Sequence, residues 1–69
     1  MKIDWSAVVN NIRREGLSAT SAARKVGADA TTLQRLARGE IKEPRFSQGL
    51  ALLDLHYALC PDRHQEVRR

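Results

Sequence analysis

Apolar and small residues recur every three or four positions along most of the chain, the spacing that places side chains on one face of a helix. This pattern predicts helices over residues 5–15, 19–26, 30–38 and 47–59. The first helix carries a stripe of Trp5, Val8, Val9 and Ile12, whereas the stripe of the second consists mainly of alanines. The predicted fold is therefore all-α, a small bundle of four to five helices.

Residues suited to helix ends flank the first three predicted helices. Short polar side chains that can accept hydrogen bonds from first-turn amides precede them, namely Asp4, Ser18 and Asp29. Glycines, which favour the left-handed conformation found after a helix, follow them, namely Gly16, Gly27 and Gly39. Because only residues 27–29 separate the second helix from the third, these two helices form a predicted helix-turn-helix.

The fourth predicted helix is apolar on two sides. One stripe, which we expect to face the core, consists of Leu50, Leu53 and Tyr57. The other lies about 160° away by helical geometry. We expect this second stripe to form a dimer interface through Leu52, Leu55 and Leu59. In the alternative, the polar tail of residues 61–69 folds back over this stripe. The sequence of the tail is compatible with a short frayed helix that begins at Pro61 or with a flexible segment.

With 69 residues we expect one small unit, a DNA-binding domain with its dimerisation helix at 1–60 and a basic tail at 61–69.

The charge of the chain is concentrated on the helix-turn-helix. The net charge is +4 and the isoelectric point is about 10. Residues 17–46 contain six basic and three acidic residues, a net of +3. This excess indicates a nucleic-acid partner, the alternative being a solvated surface with a modest basic bias.

Several other functions are disfavoured by the composition. The single cysteine excludes an internal disulfide framework and is typical of a reducing cytoplasm. We see no membrane span and no secretory signal pattern. The spacing of His56, Cys60 and His64 would align three zinc ligands on one helix, but Pro61 interrupts that helix and no fourth ligand is evident. We expect no enzyme activity, no cofactor and no small-molecule ligand.

The helix-turn-helix and the loop after it share a set of positions with a known family, namely Leu17, Ala23, Gly27, Leu33, Leu36, Gly39, Lys42, Pro44, Arg45 and Phe46. On these positions residues 5–55 resemble the Cro/C1-repressor (Xre-type) family, and the chain is most like a small phage Cro-type repressor. The resemblance implies a lambda-repressor-like bundle in the cytoplasm of a bacterial host. Two departures are Ala19, where many members have a phosphate-clamping glutamine, and Ile12 with Ala37, which replace a buried arginine–glutamate pair of some repressors.

The second helix of such a motif enters the major groove of DNA, which assigns expected roles to its exposed residues. We expect base contacts from Ala30, Thr31, Gln34 and Arg35, because arginine matches guanine, glutamine matches adenine, and small apolar groups contact thymine methyls. We expect phosphate contacts from Ser18, Ala19, Thr32, Arg38, Lys42 and Arg45. The alternatives are a solvated Gln34, and an Arg35 that forms an ion pair with Asp29 or Glu40.

These observations predict a sequence-specific double-stranded DNA-binding protein, a transcriptional repressor of Cro-like or autoregulatory type that acts as a homodimer on an inverted-repeat operator. One alternative is the DNA-binding antitoxin of a toxin–antitoxin pair, or an autorepressor of an anti-CRISPR operon. A second alternative is a protein-interaction module, such as an anti-repressor, that keeps the fold but has lost DNA binding. Basic residues at positions 35, 38, 42 and 45 favour DNA binding over the last of these.

Overall fold

A computed structural model describes residues 3–67, and these residues contain helices and no β-strand. The helices are α1 (Trp5–Arg14), α2 (Ala19–Val26), α3 (Ala30–Arg38) and α4 (Phe46–Leu59), followed by a 3₁₀ helix (Pro61–Val67). The predicted all-α bundle of four to five helices is confirmed. The outermost parts of the predicted domain and tail, residues 1–2 and 68–69, lie outside the described residues.

The predicted helix ends are largely confirmed. The Asp4 carboxylate accepts from the amide of Ala7 at 3.1 Å, and the Ser18 hydroxyl accepts from the amide of Ser21 at 3.2 Å. The exception is Asp29, which occupies the N-cap position of α3 without a side-chain capping hydrogen bond. Its backbone is nevertheless extended, as is usual for the residue that precedes a helix.

The core lies where α1 crosses α3 and α4. Fully buried aliphatic side chains from all three helices meet there, namely Val8, Ile12, Leu33, Leu36 and Leu52. A second tie between α1 and α3 is polar, because the Ser6 hydroxyl donates to the carbonyl oxygen of Ala37 at 2.8 Å. That carbonyl belongs to the last turn of α3, where no intrahelical partner remains. The position of α3 relative to α1 is thus fixed by both apolar packing and a hydrogen bond.

The face that α4 turns to the core differs from the predicted one. Leu52 is completely buried, whereas Leu50 is 50% exposed and Tyr57 is 62% exposed. The predicted core stripe is therefore wrong. The predicted dimer contact through Leu52 is also wrong, because this side chain has no surface to offer a partner. Leu55 and Leu59, assigned to the same contact, are half-buried against the core.

Two non-aliphatic residues account for the orientation of α4. His56 lies one turn after Leu52 and is completely buried, with its Nε2 atom 3.2 Å from the Asn11 side-chain amide. Gly49 faces the Trp5 indole, and a Cβ atom added at Gly49 would lie 3.0 Å from the Trp5 Cη2 atom. The histidine and the glycine thus belong to the inner face of α4, although a count of apolar residues does not place them there.

The chain beyond α4 folds back over the bundle. The 3₁₀ helix begins at Pro61 and packs on α1 and α4. Val67 at its end is completely buried, and its carbonyl oxygen accepts from the amide of Asp4 at 2.7 Å. Residues 61–67 are thus an integral part of the bundle, which agrees with the folded-back alternative for the tail.

Candidate nucleic-acid interface

The turn between α2 and α3 is closed by backbone geometry. Gly27 has a φ of +73°, a left-handed conformation in which other residues are strained. The amide of Ala28 donates to the carbonyl oxygen of Ala23 at 2.9 Å. The side-chain amide of Gln48 on α4 donates to the carbonyl oxygen of Gly27 at 3.4 Å. These contacts hold α3 at a defined angle to α2 and connect the turn to the rest of the bundle.

Small side chains let α2 and α3 approach closely. Ala22 and Ala23 on α2 are buried in the same cluster as Leu33 and Leu36 on α3. An alanine face adds little thickness between two helices, so the backbones lie near each other. The second helix of the motif is therefore packed closely on the first along its buried side.

The outward side of α3 is polar. Thr31, Gln34, Arg35 and Arg38 are exposed, in contrast to the completely buried Leu33 and Leu36. Two of the predicted contact residues, Ala30 and Thr32, are half-buried, and Ala30 packs at the margin of the core. Gln34 and Arg35 therefore supply the long polar side chains near the middle of this face, and Arg38 supplies another at its C-terminal end.

Every basic residue of the helix-turn-helix and the following loop is exposed, namely Arg24, Lys25, Arg35, Arg38, Lys42 and Arg45. Arg38 forms an ion pair with Glu40 at 3.2 Å, and the two side chains are 64% and 51% exposed. At this exposure solvent screens the pair, so it stabilises the fold little and is easily exchanged for another anion. Glu40 thus pairs with Arg38, whereas the sequence had suggested Arg35 as its alternative partner.

The loop that follows α3 is anchored at its start. The amide of Gly39 donates to the carbonyl oxygen of Leu36, and that of Glu40 to the carbonyl oxygen of Arg35. Ile41 then packs against the core while Lys42 is exposed. The loop thereby holds an exposed basic side chain shortly after the C-terminal end of α3, at a groove that is also lined by the start of α1 and by α4.

A polar depression lies between this loop and the first turn of α3. Thr32 and Arg45 line it together with two carboxylates, Asp29 and Glu43. These two carboxylates repel a DNA phosphate that would enter the depression. Of the two predicted phosphate contacts here, Arg45 therefore depends most on extending its long side chain away from the carboxylates.

The start of α2 is also on the surface. Ser18 is exposed, and its hydroxyl oxygen lies 3.2 Å from both the amide and the hydroxyl oxygen of Ser21. Ala19, in the position of the absent glutamine, is half-buried. The predicted phosphate contacts Ser18 and Ala19 therefore lie at the N-terminal start of α2, at the opposite end of this helix from the turn that leads to α3.

One surface residue of this region was missed as a candidate for any role. Phe46 follows Arg45 and is 82% exposed. In the sequence it counted only as part of the motif that ends the loop. The signal that marks it is its spacing of four from Leu50, which continues an apolar stripe into the first residue of α4.

The histidines and the cysteine form a hydrogen-bonded cluster away from α3. The Nδ1 atoms of His56 and His64 lie 3.1 Å apart, so one donates and the other accepts. The Cys60 thiol donates to the carbonyl oxygen of Asn11 at 3.6 Å, and burial raises the pKa of this thiol. Within residues 3–67, no three histidine, cysteine or acidic side chains converge as metal ligands.

Comparisons with known proteins add no relative. No family model matches the sequence, and neither the curated proteins nor the solved structures yielded a match. Among the helices of the described segment, none is both long enough and apolar enough to cross a membrane.

Proposed function

We propose that this protein binds double-stranded DNA sequence-specifically and represses transcription in the manner of a Cro-like or autoregulatory repressor. In this proposal it acts in the cytoplasm of a bacterial cell, as a homodimer on an inverted repeat. The observation that carries the proposal is the outward face of α3, where Gln34 and Arg35 are exposed on a helix packed against α1 and α2. A helix of this kind fits the major groove, whose base edges match the arginine and glutamine side chains.

The basic residues around α3 support the same proposal. Arg38, Lys42 and Arg45 are exposed on the helix and on the loop after it. These three basic side chains suit contacts with the phosphates on either side of a groove. Contacts of this kind orient the protein on DNA without reading its sequence. The ion pair of Arg38 with Glu40 is screened, so Arg38 is free to exchange Glu40 for a phosphate.

Fluorescence anisotropy with a duplex of mixed sequence tests the DNA-binding part of the proposal. We expect wild-type protein to bind, with the logarithm of the affinity falling by about 0.9 per logarithmic unit of salt for each phosphate neutralised. The double variant Arg38→Ala/Lys42→Ala should bind more weakly and with a shallower salt slope.

Arg63→Ala, which removes one positive charge, is the control for Arg38→Ala and Lys42→Ala measured as single variants. Arg63 is an exposed arginine on the 3₁₀ helix, an element that packs on α1 and α4. Its loss should leave the salt slope unchanged. If wild-type protein does not bind DNA at low salt, the proposal is contradicted and the protein-interaction alternative is favoured. If Arg63→Ala loses as much affinity as the variants near α3, the loss reflects net charge and not a specific contact.

A further inference from the structure

The exposed large apolar side chains of the described residues all lie on α4. Phe46 is 82% exposed, Tyr57 is 62% exposed and Leu50 is 50% exposed, while Leu53 between them is half-buried. We call these four residues the outer stripe. They are spaced at i, i+4, i+7 and i+11, so they fall in one narrow line along the helix. This spacing is that of a helix seam which packs against another helix.

Apolar surface continues from the outer stripe onto neighbouring elements. An open groove runs beside Phe46 and Leu50, and Trp5, Ile41 and Pro44 contribute to its walls. Isolated exposed apolar residues are ordinary, but a contiguous patch of this kind marks an interaction surface.

We propose that the outer stripe is the contact between two copies of this chain, with their α4 helices antiparallel about a two-fold axis. The order of residues is self-complementary in this alignment. Phe46 of one copy faces Tyr57 of the other, Leu50 faces Leu53, and the two-fold axis repeats both pairs. The contact rests on the proposed function for its role, which is to place two α3 helices on the two halves of an inverted repeat.

The charge distribution favours a second copy in this alignment. The chain is basic overall, yet α4 contains neither lysine nor arginine, so two copies meet along a cation-free segment. Arg45 precedes the N-terminus of α4, and the antiparallel alignment brings this end to the negative end of the partner's helix dipole. A parallel alignment would instead place the two Asp54 carboxylates side by side.

The size of the outer stripe sets the strength of the contact. Covering the exposed parts of Phe46, Leu50 and Tyr57 buries about 400 Å² per copy, if a whole aromatic side chain contributes about 150–250 Å². A standard interface buries about 800 Å² per partner, so this dimer is weak in free solution. DNA with two half-sites holds both copies at high effective concentration and thereby favours the dimer.

Sedimentation equilibrium of the full chain without DNA, at concentrations up to about 1 mM, measures the contact directly. We expect wild type to dimerise reversibly. Phe46→Lys and Tyr57→Glu should each weaken association about tenfold or more, because each removes an aromatic side chain from the seam. The control Ala58→Glu places the same charge on an exposed position of α4 outside the outer stripe and should leave association unchanged.

The double variant Phe46→Lys/Tyr57→Glu tests the alignment. In the antiparallel dimer the introduced lysine and glutamate face each other twice, so association should exceed that of either single variant. A double variant as weak as the single ones overturns the antiparallel alignment, and a wild type that stays monomeric throughout overturns the contact. Because the Tyr57 ring contacts the His64 ring edge to face, Tyr57→Glu also removes a contact within the fold. Thermal melting therefore checks that this variant is folded. The mainly exposed Phe46, replaced by alanine, gives a second variant that spares that contact.

Binding to duplexes with one or two half-sites separates this inference from the proposed function. Wild type should bind two half-sites cooperatively, and Phe46→Ala should lose the cooperativity while retaining binding to one half-site. Self-association without any DNA binding would remove the proposed function and leave the contact intact. DNA binding with no self-association and no cooperativity would do the reverse.

Discussion

The helices α3 and α4 differ in how clearly their sequences specify which face is buried. On α3 the apolar positions Leu33 and Leu36 are separated by glutamine and arginine and preceded by two threonines, and the structure buries the two leucines. On α4 apolar residues surround the helix, and the structure buries Leu52 and His56. Contrast between polar and apolar positions, not apolar content, therefore determines whether the orientation of a helix can be predicted.

The outward faces of the two helices also differ in chemical character. The outward face of α3 consists of polar side chains that add little to stability, whereas the outward face of α4 is an apolar stripe. On both helices the inward face supports the core. Variants on the inner and outer faces should consequently separate stability from binding.

The largest effect should come from the inner face of α4. Leu52→Ala should lower the free energy of unfolding by about 2–5 kcal/mol, because a completely buried leucine leaves a cavity. Leu50→Ala, the matched substitution on the outer face, should cost less than half as much, since half of this side chain is already in water. Urea denaturation measures both, and similar losses would show that the two faces of α4 are assigned the wrong way round.

The outward face of α3 should show the opposite behaviour. Arg35→Ala should change the free energy of unfolding by less than about 0.5 kcal/mol, because the side chain is exposed. The same substitution should weaken binding to the cognate duplex by about 1–3 kcal/mol and binding to random DNA much less. Equal losses on the two duplexes would make Arg35 a phosphate contact.

Stability should also depend on pH through the inner face of α4. Burial holds the pKa of His56 below its ordinary value of 6.5, with a further lowering by His64 and an opposing effect of Glu66. The unfolded chain therefore takes up this proton at a higher pH than the folded chain. The contribution of His56 to stability is complete above pH 6.5 and is lost as the pH falls below it toward the folded-state pKa.

Urea denaturation between pH 7.5 and 5.5 measures this dependence. The free energy of unfolding should fall with acidification by at most about 1.4 kcal/mol per pH unit for this single proton. His56→Gln should flatten the dependence, whereas His64→Gln should retain most of it, because burial is the main cause of the shift. An unchanged slope in His56→Gln would exclude this histidine as the source.

The smallest effect concerns the loop after α3. Lys42→Ala should weaken binding to cognate and random duplexes alike, since a phosphate contact carries no sequence information. The salt slope should decrease by about 0.9 if one phosphate contact is lost. Glu40→Gln is a useful counterpart, because removing the partner of Arg38 should strengthen binding at low salt. A Lys42→Ala variant with the wild-type slope would place Lys42 outside the interface.

The sequence was sufficient for the helices, for the caps at Asp4 and Ser18, and for the buried face of α3, because these depend on local pattern. It was insufficient for the orientation of α4 and for the place of the tail. Those depend on contacts between residues far apart in the chain, such as Asn11 with His56 and Asp4 with Val67. A polar residue buried with a polar partner has no signature in the apolar pattern.

The candidate interface could be predicted to the level of exposed residues and no further. Arg35 and Lys42 are exposed as expected, but the ion pair of Arg38 and the half-buried state of Ala30 follow only from the folded arrangement. Phe46 shows the same limit of prediction from sequence, because the exposure of this aromatic residue depends on which face of α4 packs against the core.

Selection of bound sequences from a random duplex library, with wild type and with Arg35→Ala in parallel, tests most directly whether α3 reads DNA. We predict that wild type enriches an inverted repeat whose half-site centres lie about 10 base pairs apart. Arg35→Ala should lose the preference at one position of each half-site and keep the others. Failure of wild type to enrich any sequence, or the same preferences in both proteins, would contradict a recognition role for α3.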